Sequence, residues 1–342
     1  MKRMGWVTTL IVLLLTACDN LDWGGAEFAI VPPPAIQDQS EAGVELDEVT
    51  PETPPTGPVL YYVRTEEEEA LLTPIAEITP DALIPINPTG DWEIYSQRFI
   101  SQSMRQGTEF VLFHQGERAG TFVLQSAMLP EEESCPRIPH ATGILELVES
   151  AREVPEFLAI AKNYAPTGGR RRTAPSLRPD PRISLQAAIL AERALRARNA
   201  RLPNNWTTAL TDLHPFPITG SADPAFAATF ALRDSTSRGA NPAGYSLFLI
   251  AQPQPQVGYD ATYLLFTDYA TSEKGKAAPR VIDSLDWNRT GSTGLLLEVS
   301  TDEESWFEAV ELTDGEWRHV LDTRCYEEPE ATDEEEDEIE VG

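Results

Sequence analysis

A run of oxygen-bearing side chains near the C-terminal end of the sequence has the spacing of a cation-binding loop. Asp283 begins the run, and Asp286, Asn288 and Thr290 follow at alternating positions before Gly291. Oxygen donors at alternating positions, followed by a glycine that permits a sharp turn, can wrap a hard cation such as Ca²⁺. The sequence therefore predicts Asp286, Asn288 and Thr290 as calcium ligands, and calcium is the only cofactor it suggests.

Residues 283–298 resemble the calcium loops of the FG-GAP/VCBS repeats of cell-surface β-propeller proteins. The resemblance implies ligand roles for Asp286, Asn288 and Thr290. The sequence departs from the repeat at Gly294, where the family pattern has a further carboxylate. A propeller also needs several such units, and one clear copy is recognisable. The alternative is a polar β-turn in which Asp286 and Asn288 hydrogen-bond their own backbone.

A second candidate site is basic. Nine arginines stand between positions 170 and 201, opposed by only two acidic residues. Arginine suits the recognition of carboxylates and phosphates, so Arg170, Arg171 and Arg172 are predicted to bind an anion. Lipid headgroups, lipopolysaccharide phosphates and an acidic partner all have that chemistry. Two other interpretations stay open: the arginines bind the acidic C-terminal tail, or they belong to a solvated helix face and loop.

The four histidines, His114, His140, His214 and His319, stand alone in the sequence. None has the spacing from another His, Cys or Glu that a metal site requires. The sequence contains no G-x-S-x-G elbow, no P-loop and no G-x-G-x-x-G motif. No catalytic residue is therefore assigned. A Ser-His-Asp triad draws its members from distant parts of a chain, so a hydrolase remains an alternative.

The N-terminus has the features of an export signal. Two basic residues precede an apolar run, residues 6–15, that is shorter than the ~20 residues needed to span a bilayer. The run ends in Leu-Thr-Ala-Cys18, which resembles the lipobox of bacterial lipoproteins. The resemblance implies a signal peptide over residues 1–17, diacylglycerol on the Cys18 thiol, and a fatty acyl chain such as palmitate on the new amine. Several acyl chains anchor a protein stably, so we expect a folded part outside the cytoplasm, held to an envelope membrane.

Negative charge is concentrated at the two ends of the chain, whose net formal charge is −29. Residues 19–90 hold 15 acidic residues against the single base Arg64, and residues 327–342 hold ten acidic residues and no base. Frequent prolines and sparse large apolar residues disfavour regular structure in the first segment. We predict an acidic, Pro-rich tether over residues 18–90 and an acidic disordered tail over residues 327–342. This charge makes nucleic acid an unlikely partner.

Two cysteines remain besides Cys18, namely Cys135 and Cys325. Exported proteins meet an oxidising compartment, so a disulfide between these two residues is predicted. The bridge would join an early loop to the last strand region. Two free buried thiols are the alternative.

Between the charged ends, residues 91–326 have the pattern of a β-rich globular region. Short runs of β-branched and aromatic residues recur, separated by turn residues. Hairpins are predicted within 109–124 and within 306–321, the second because Asp314-Gly315 favours a tight turn. The predicted fold class is mainly β, of the α+β type, with an antiparallel meander or a sandwich-like sheet.

One main helix is predicted over about 182–201, where Ala, Leu and Arg dominate. An Asp-Pro pair offers an N-cap followed by proline at the first helical position, and Pro203 ends the run. Leu185 and Ile189 share one side, but Glu192 and Arg196 interrupt this apolar face, so the helix is expected to lie on the surface of a sheet. The loop before it leaves open a division into two subdomains near 166–203.

The leading hypothesis is a membrane-anchored envelope lipoprotein with a non-catalytic binding or structural module. Its expected partners are the membrane, through the lipid on Cys18, and an unidentified envelope protein or polymer. The alternatives are a periplasmic or surface hydrolase and a calcium-stabilised surface-binding module.

Overall fold

Antiparallel strands make up most of the computed structural model of the chain, and the expected mainly β fold class is confirmed. The described part of the chain contains fifteen strands in three sheets and two helices of 12 and 17 residues. All of these elements belong to one compact unit, Gly43–Gly342. The structure describes residues 53–66, 69–86, 92–131, 136–165, 181–219, 221–232, 244–254, 258–272, 275–302 and 304–325.

The first sheet is a closed barrel. Six strands run in the order β1-β7-β4-β5-β6-β2, and the ring closes because β1 also pairs with β2. A seventh strand, β3, pairs with β2 outside the ring. Closure leaves few unpaired strand edges. The strands are β1 (Val59–Glu66), β2 (Glu69–Ile78), β3 (Leu83–Pro85), β4 (Glu109–His114), β5 (Glu117–Met128), β6 (His140–Leu147) and β7 (Glu156–Ala161).

Aromatic side chains fill the barrel core. The rings of Tyr61 and Phe110 pack edge to face at 4.9 Å, and Phe110 packs on Phe122 at 5.9 Å. Helix α1 (Trp92–Ser103) adds Tyr95 and Phe99 to the same cluster. Large aromatic side chains dominate the energetics of such a core because each buries a large apolar area.

The predicted tether 18–90 is too long, and this part of the prediction is wrong. Residues 59–86 form β1, β2 and β3, and the apolar side chains of β1 are buried. The acidic and proline-rich composition of the whole segment obscured the signal of these strands. The run from Val59 to Val63 is nevertheless apolar at every position. Strands buried on both faces have such runs. Helix α1 was also missed, so the expectation of a single main helix does not hold.

The other two sheets are four-stranded meanders. Sheet B has the order β11-β10-β9-β8 and sheet C the order β12-β13-β14-β15. Sheet B consists of β8 (Leu210–Phe216), β9 (Ala225–Leu232), β10 (Tyr245–Gln254) and β11 (Gly258–Asp268). Sheet C consists of β12 (Ala278–Leu285), β13 (Gly294–Ser300), β14 (Ser305–Thr313) and β15 (Glu316–Asp322). Both predicted hairpins are present, and their turns, Gln115-Gly116 and Asp314-Gly315, have positive φ at both residues, as tight hairpin turns require.

Sheet C is a layer between the barrel and sheet B. On one side Leu296, Ala309 and Leu321 pack in a cluster with barrel residues such as Leu60. On the other side Leu295, Leu297 and Val310 pack in a cluster with sheet B residues. A division near residues 166–203 is therefore wrong, because sheet C, which follows that segment, shares a core with the barrel, which precedes it.

Helix α2 (Pro181–Ala197) covers the face of sheet B that is turned away from sheet C. It ends before the predicted limit at 201. Asn199 adopts φ +54, and the Ala200 and Asn199 amides donate to the carbonyls of Leu195 and Arg196. This is a Schellman ending, in which a left-handed residue closes the last turn.

The face of α2 that packs on sheet B is not the predicted one. Leu185 and Ile189 are exposed. The buried side chains are instead Ile183, Ala187, Leu190, Ala191, Ala194 and Leu195. Small alanines let the helix approach the sheet closely, and two leucines fill the space between them. No helix in the described ranges combines the length and apolar character needed to cross a membrane. The described residues also include the short helix α3 (Trp206–Ala209) and one 3₁₀ turn, Glu149–Ala151.

Sheets B and C repeat one plan in their first strands. A register shift falls between Leu210 and Asp212 in β8, and another falls between Val281 and Asp283 in β12. The aspartate after each bulge accepts a backbone N–H from the next layer. A Thr-Gly-Ser sequence follows each aspartate after the same number of residues. A bulge re-aims side chains, so each sheet directs one carboxylate at the layer beside it.

Candidate functional site: the polar junction along strand β12

A group of buried and partly buried polar and charged side chains lies along β12, the edge strand of sheet C that meets both the barrel and sheet B. We call this group the β12 junction. Its members come from all three sheets. They are Tyr62, His114, Glu156, Asp212, His214, Arg280, Asp283 and Glu298.

Side chains of sheet B satisfy the backbone of β12. Asp212 accepts the Val281 N–H at 2.9 Å. The buried hydroxyls of Thr229 and Ser246 donate to the carbonyls of Pro279 and Ala277, each at 2.6 Å. An edge strand presents unpaired backbone groups, and these bonds satisfy three of them without another strand.

Asp283 connects sheet C to the barrel. Its carboxyl group is fully buried, and both oxygens accept the Gln115 N–H, at 2.7 and 2.8 Å. The Ser284 N–H donates to the same group at 2.6 Å. Gln115 lies in the β4–β5 turn at φ +53, which exposes its amide beyond the end of the hairpin. The Asp283 side chain therefore binds the barrel hairpin to β12.

Burial dominates the electrostatics of Asp283. Loss of solvent raises the pKa of Asp283 to about 8, although the Ser284 and Gln115 amides act in the opposite direction. A carboxyl group in a low-dielectric interior favours its neutral form. At neutral pH Asp283 is therefore mostly protonated, and its role in this state is that of a buried hydrogen-bonding group.

Two of the four histidines of the sequence, His114 and His214, lie at the junction. His114 Nδ1 is 3.6 Å from Asp283 Oδ2, too far for a hydrogen bond. Burial lowers the pKa of His114, and burial together with the nearby His114 lowers the pKa of His214 to about 4. Among the described residues, neither His114 Nδ1 nor His214 Nε2 has a hydrogen-bond partner. Neither of these two histidines is therefore held by an ionised carboxylate, as the base of the Ser-His-Asp mechanism is.

The charged part of the junction joins the barrel to sheet C. Arg280 of β12 donates two hydrogen bonds to Glu156 of β7, at 2.6 and 2.9 Å, and one to Glu298 of β13 at 2.5 Å. The Tyr62 hydroxyl of β1 donates to Glu156 at 2.6 Å. Paired, planar contacts of this kind are the strongest that arginine makes with carboxylates. The Arg280 side chain is 40% exposed and Glu156 18%, so solvent reaches the network from one side.

The pKa values of this network follow from its contacts. Burial raises the pKa of Glu156, but hydrogen bonds from Arg280 and Tyr62 and the charges of Arg280 and Arg64 bring it below the usual value. The hydrogen bond to Glu156 raises the pKa of Arg280 despite burial. Both ion-pair partners are therefore charged at neutral pH.

The other two histidines lie elsewhere. His319 Nε2 is 3.3 Å from Glu308 Oε2, and Trp306 Nε1 donates to the other Glu308 oxygen at 3.0 Å. Glu308 is buried. His140 begins β6. Within the described ranges, no group of three or more histidine, cysteine or acidic side chains is placed to hold a metal ion.

The predicted calcium loop folds as a polar turn. The Gly291 N–H donates to Asp286 Oδ2 at 3.0 Å, the Thr290 hydroxyl donates to Asn288 Oδ1 at 2.9 Å, and Asn288 Nδ2 donates to Glu311 at 3.0 Å. The three predicted ligands therefore lie together, and their oxygens bond within the loop. Asp286 Oδ1 is buried without a hydrogen-bond partner in the described part of the chain. Calcium binding by Asp286, Asn288 and Thr290 stays a prediction.

Several predicted site residues lie outside the described residues: Cys18, Cys135, Arg170, Arg171 and Arg172. Cys325 follows β15. Its disulfide with Cys135 stays a prediction.

A shallow groove of about 660 Å³ lies at one end of sheet B. Its lining combines amide, acidic and aromatic side chains from the β8–β9 loop and the β10–β11 hairpin, including Asp223, Gln252 and Tyr259. Gln252 Nε2 is buried and has no hydrogen-bond partner among the described residues. The groove offers hydrogen bonds and one aromatic ring.

Sequence reasoning assigned no role to His114 and His214 and missed the groups that organise the junction. Arg280 and Glu156 stand in largely apolar strands, and nothing in their local sequence distinguishes them. One signal existed for Asp212 and Asp283, since each precedes a Thr-Gly-Ser sequence by the same spacing.

No protein-family model, curated protein or solved structure matches the chain.

Proposed function

We propose that the chain is an exported lipoprotein, held to a membrane of the cell envelope by lipid on Cys18, with a folded unit that is a non-catalytic binding or structural module. The observation that carries the proposal is the Leu-Thr-Ala-Cys18 sequence after a short apolar run. Residues 19–58 separate Cys18 from β1. A fully extended chain of that length spans roughly 130 Å, enough for the folded unit to clear the lipid headgroups.

The contacts made by the side chains of the β12 junction support the non-catalytic part of the proposal. Its carboxylates bind backbone amides or Arg280, and three of these contacts hold one sheet to another. The carboxyl group nearest to His114 is mostly neutral at pH 7. These groups connect layers of the fold, whereas a catalytic set converges on space where a substrate can sit.

The groove at the end of sheet B supports the binding role. Amide and acidic side chains with one tyrosine suit a polar, uncharged or cationic segment of an envelope polymer or protein.

The test is lipid labelling of the full chain expressed in a bacterium. We expect labelled palmitate to appear on the wild-type protein and to be absent from Cys18→Ser, with the wild type in the membrane fraction. Cys135→Ser, which keeps Cys18, is the matched control and should be labelled like the wild type. A wild-type protein without label would overturn the proposal.

The hydrolase alternative has its own test. A fluorophosphonate probe reacts with activated serine nucleophiles, and we expect it to leave the protein unlabelled. Labelling that His114→Gln or His214→Gln removed would replace the non-catalytic proposal by a hydrolase.

The calcium-stabilised module predicts that Ca²⁺ raises the melting temperature, and that Asp286→Ala removes the rise. A melting temperature that Ca²⁺ does not change would contradict it.

A further inference from the structure

Helix α2 has a second apolar surface that packs on nothing in the described structure. Leu185 is 61% exposed and Ile189 is 43% exposed. Arg182, Arg193 and Arg196 are exposed on the same helix. We call these five residues the α2 stripe.

The five residues of the stripe lie on one side of α2. Successive members are three or four positions apart, which is the repeat that places side chains above one another on a helix. The two apolar residues are therefore flanked by arginines at both ends of the stripe. Glu192 pairs with Arg196 at 2.6 Å, at the edge of the stripe.

The stripe is not needed to hold α2 in place. The opposite side of the helix buries Ile183, Leu190 and Leu195 with three alanines against sheet B. A helix that packs through one side ordinarily presents polar residues on the other. Leu185 and Ile189 depart from that pattern together, at adjacent positions of the stripe.

We infer that the α2 stripe binds the surface of a membrane that contains anionic phospholipids. An interfacial helix inserts apolar side chains between headgroups and keeps cationic side chains at the level of the phosphates. Arginine can do this because its long apolar stem lies along the bilayer while the guanidinium stays hydrated. Each arginine near an anionic surface strengthens binding about fivefold.

A second copy of the chain fits the stripe less well. Two stripes packed against each other would bring arginines of one copy near arginines of the other, whichever way the helices ran. Like charges at an interface weaken association. An anionic surface complements the same residues, and this charge complementarity favours the membrane.

The inference deepens the proposed function and rests on it, because a protein anchored at Cys18 spends its time near a bilayer. The net charge of −29 repels an anionic surface. A local basic and apolar stripe would therefore also orient the folded unit, with α2 towards the membrane.

The experiment measures vesicle binding by the chain of residues 19–342, which lacks the lipid and keeps every described element. We expect it to sediment at low ionic strength with vesicles of equal parts phosphatidylglycerol and phosphatidylcholine, and to stay in solution with phosphatidylcholine alone. Leu185→Ser with Ile189→Ser should weaken binding at least about tenfold, and Arg182→Gln with Arg193→Gln by a similar factor.

The matched control is Ile144→Ser with Val148→Ser, which removes two exposed apolar side chains from the barrel. We expect it to bind vesicles like the unsubstituted chain. No binding to the anionic vesicles, or an equal loss in this control, would overturn the inference. So would a dimer in sedimentation velocity that Leu185→Ser with Ile189→Ser abolished, because the stripe would then serve a second copy.

These outcomes are separable from those of the lipid-labelling experiment. The vesicle assay uses a chain without Cys18, so it reports on the stripe alone. Palmitate on Cys18 with no vesicle binding would leave the proposed function standing and remove the inference. Vesicle binding without palmitate would do the reverse.

Discussion

Sheets B and C place an aspartate at the same point of their first strand, but the two carboxyl groups have different neighbours. Asp212 accepts N–H groups from Val281 and Leu213 and lies near Arg280, whose charge counters part of the rise in pKa that burial causes. Asp283 accepts N–H groups from Gln115 and Ser284, and no cation acts on its pKa. The same bulge therefore carries a charge-compensated carboxylate in one sheet and a nearly neutral carboxyl group in the other.

The aromatic residue that follows each aspartate differs in the same way. Phe216 of sheet B packs in the cluster shared with sheet C, and Trp287 of sheet C packs in the cluster shared with the barrel. The larger indole has space because Gly294 pairs with Leu285, where sheet B pairs Ala227 with His214. Sheets B and C thus share one strand arrangement, each adapted to its neighbouring layer. That layer, rather than the local strand sequence, determines which residue stands at each of these positions.

The largest effect on this comparison is expected from Asp283→Ala. The substitution leaves the buried Gln115 and Ser284 N–H groups without acceptors, and an unsatisfied buried donor costs about 1–3 kcal/mol. We expect the free energy of unfolding to fall by about 3 kcal/mol, measured as a lower urea midpoint.

Asp283→Asn is the matched control for that measurement. Both amides already bond to Asp283 Oδ1, at 2.7 and 2.6 Å. An asparagine oxygen at that position keeps these two bonds and loses only the third, from Gln115 to Oδ2, so this variant should lose less than half as much stability. An equal loss in the two variants would mean that the Asp283 hydrogen bonds do not hold the barrel hairpin.

The next effect concerns the space beside Trp287. A Cβ at Gly294 would lie 2.0 Å from the Trp287 ring, so Gly294→Ala must displace a buried indole. Overpacking of this kind costs about 1–3 kcal/mol, and we expect about 2 kcal/mol by urea unfolding. Ala227→Gly, at the matching position of sheet B, should cost about 1 kcal/mol or less. If Gly294→Ala cost no more than Ala227→Gly, the two positions would not differ as proposed.

Much of the fold could be predicted from sequence because strand and hairpin signals are local. The Asp314-Gly315 turn and the strands of sheet C can each be recognised from a few consecutive residues. Barrel closure could not be predicted, since it depends on pairing of β1 with β7, nearly a hundred residues away. The Leu185 side of α2 was wrongly taken as the side that packs on the sheet, because the alanines at 187, 191 and 194 are only weakly hydrophobic. These small residues nevertheless let the helix approach sheet B.

The junction was harder to predict than the fold. Arg280 and Glu156 are distant in sequence and meet only because β12 docks on the barrel. The second, partial copy of the Asp283 loop went unrecognised because Pro215 and Pro217 of sheet B stand where Asp286 and Asn288 stand in sheet C. A ligand-based pattern cannot find a copy that keeps the bulge and loses the ligand oxygens.

A smaller loss is expected from Asp212→Ala. The substitution removes the acceptor of the Val281 and Leu213 N–H groups and a negative charge near Arg280. Asp212 is only partly buried, unlike Asp283, so water can replace part of the lost hydrogen bonding. We expect a loss of about 1.5 kcal/mol in urea unfolding, half that of Asp283→Ala. A loss larger than that of Asp283→Ala would reverse the comparison and make the contact between sheets B and C the stronger of the two.

The smallest effect, and the most specific to Asp283, is on the pH dependence of stability. Burial raises its pKa from 3.8 to about 8, so the folded protein holds a proton that the unfolded chain has lost between these values. Stability contributed by this group is therefore lost as pH rises through that window. His214 and His114 act oppositely, because burial lowers the pKa of each, that of His214 to about 4, and the unfolded chain binds the extra protons near and below pH 6.5. The contributions offset each other at acidic pH, and that of Asp283 is the larger one above pH 6.5. We expect the free energy of unfolding to fall by about 1 kcal/mol between pH 6.5 and 7.5, in urea titrations at each pH.

Asp283→Asn cannot ionise and should abolish this decline, whereas Asp212→Asn should leave most of it. A decline that persisted in Asp283→Asn would show that another group binds the proton.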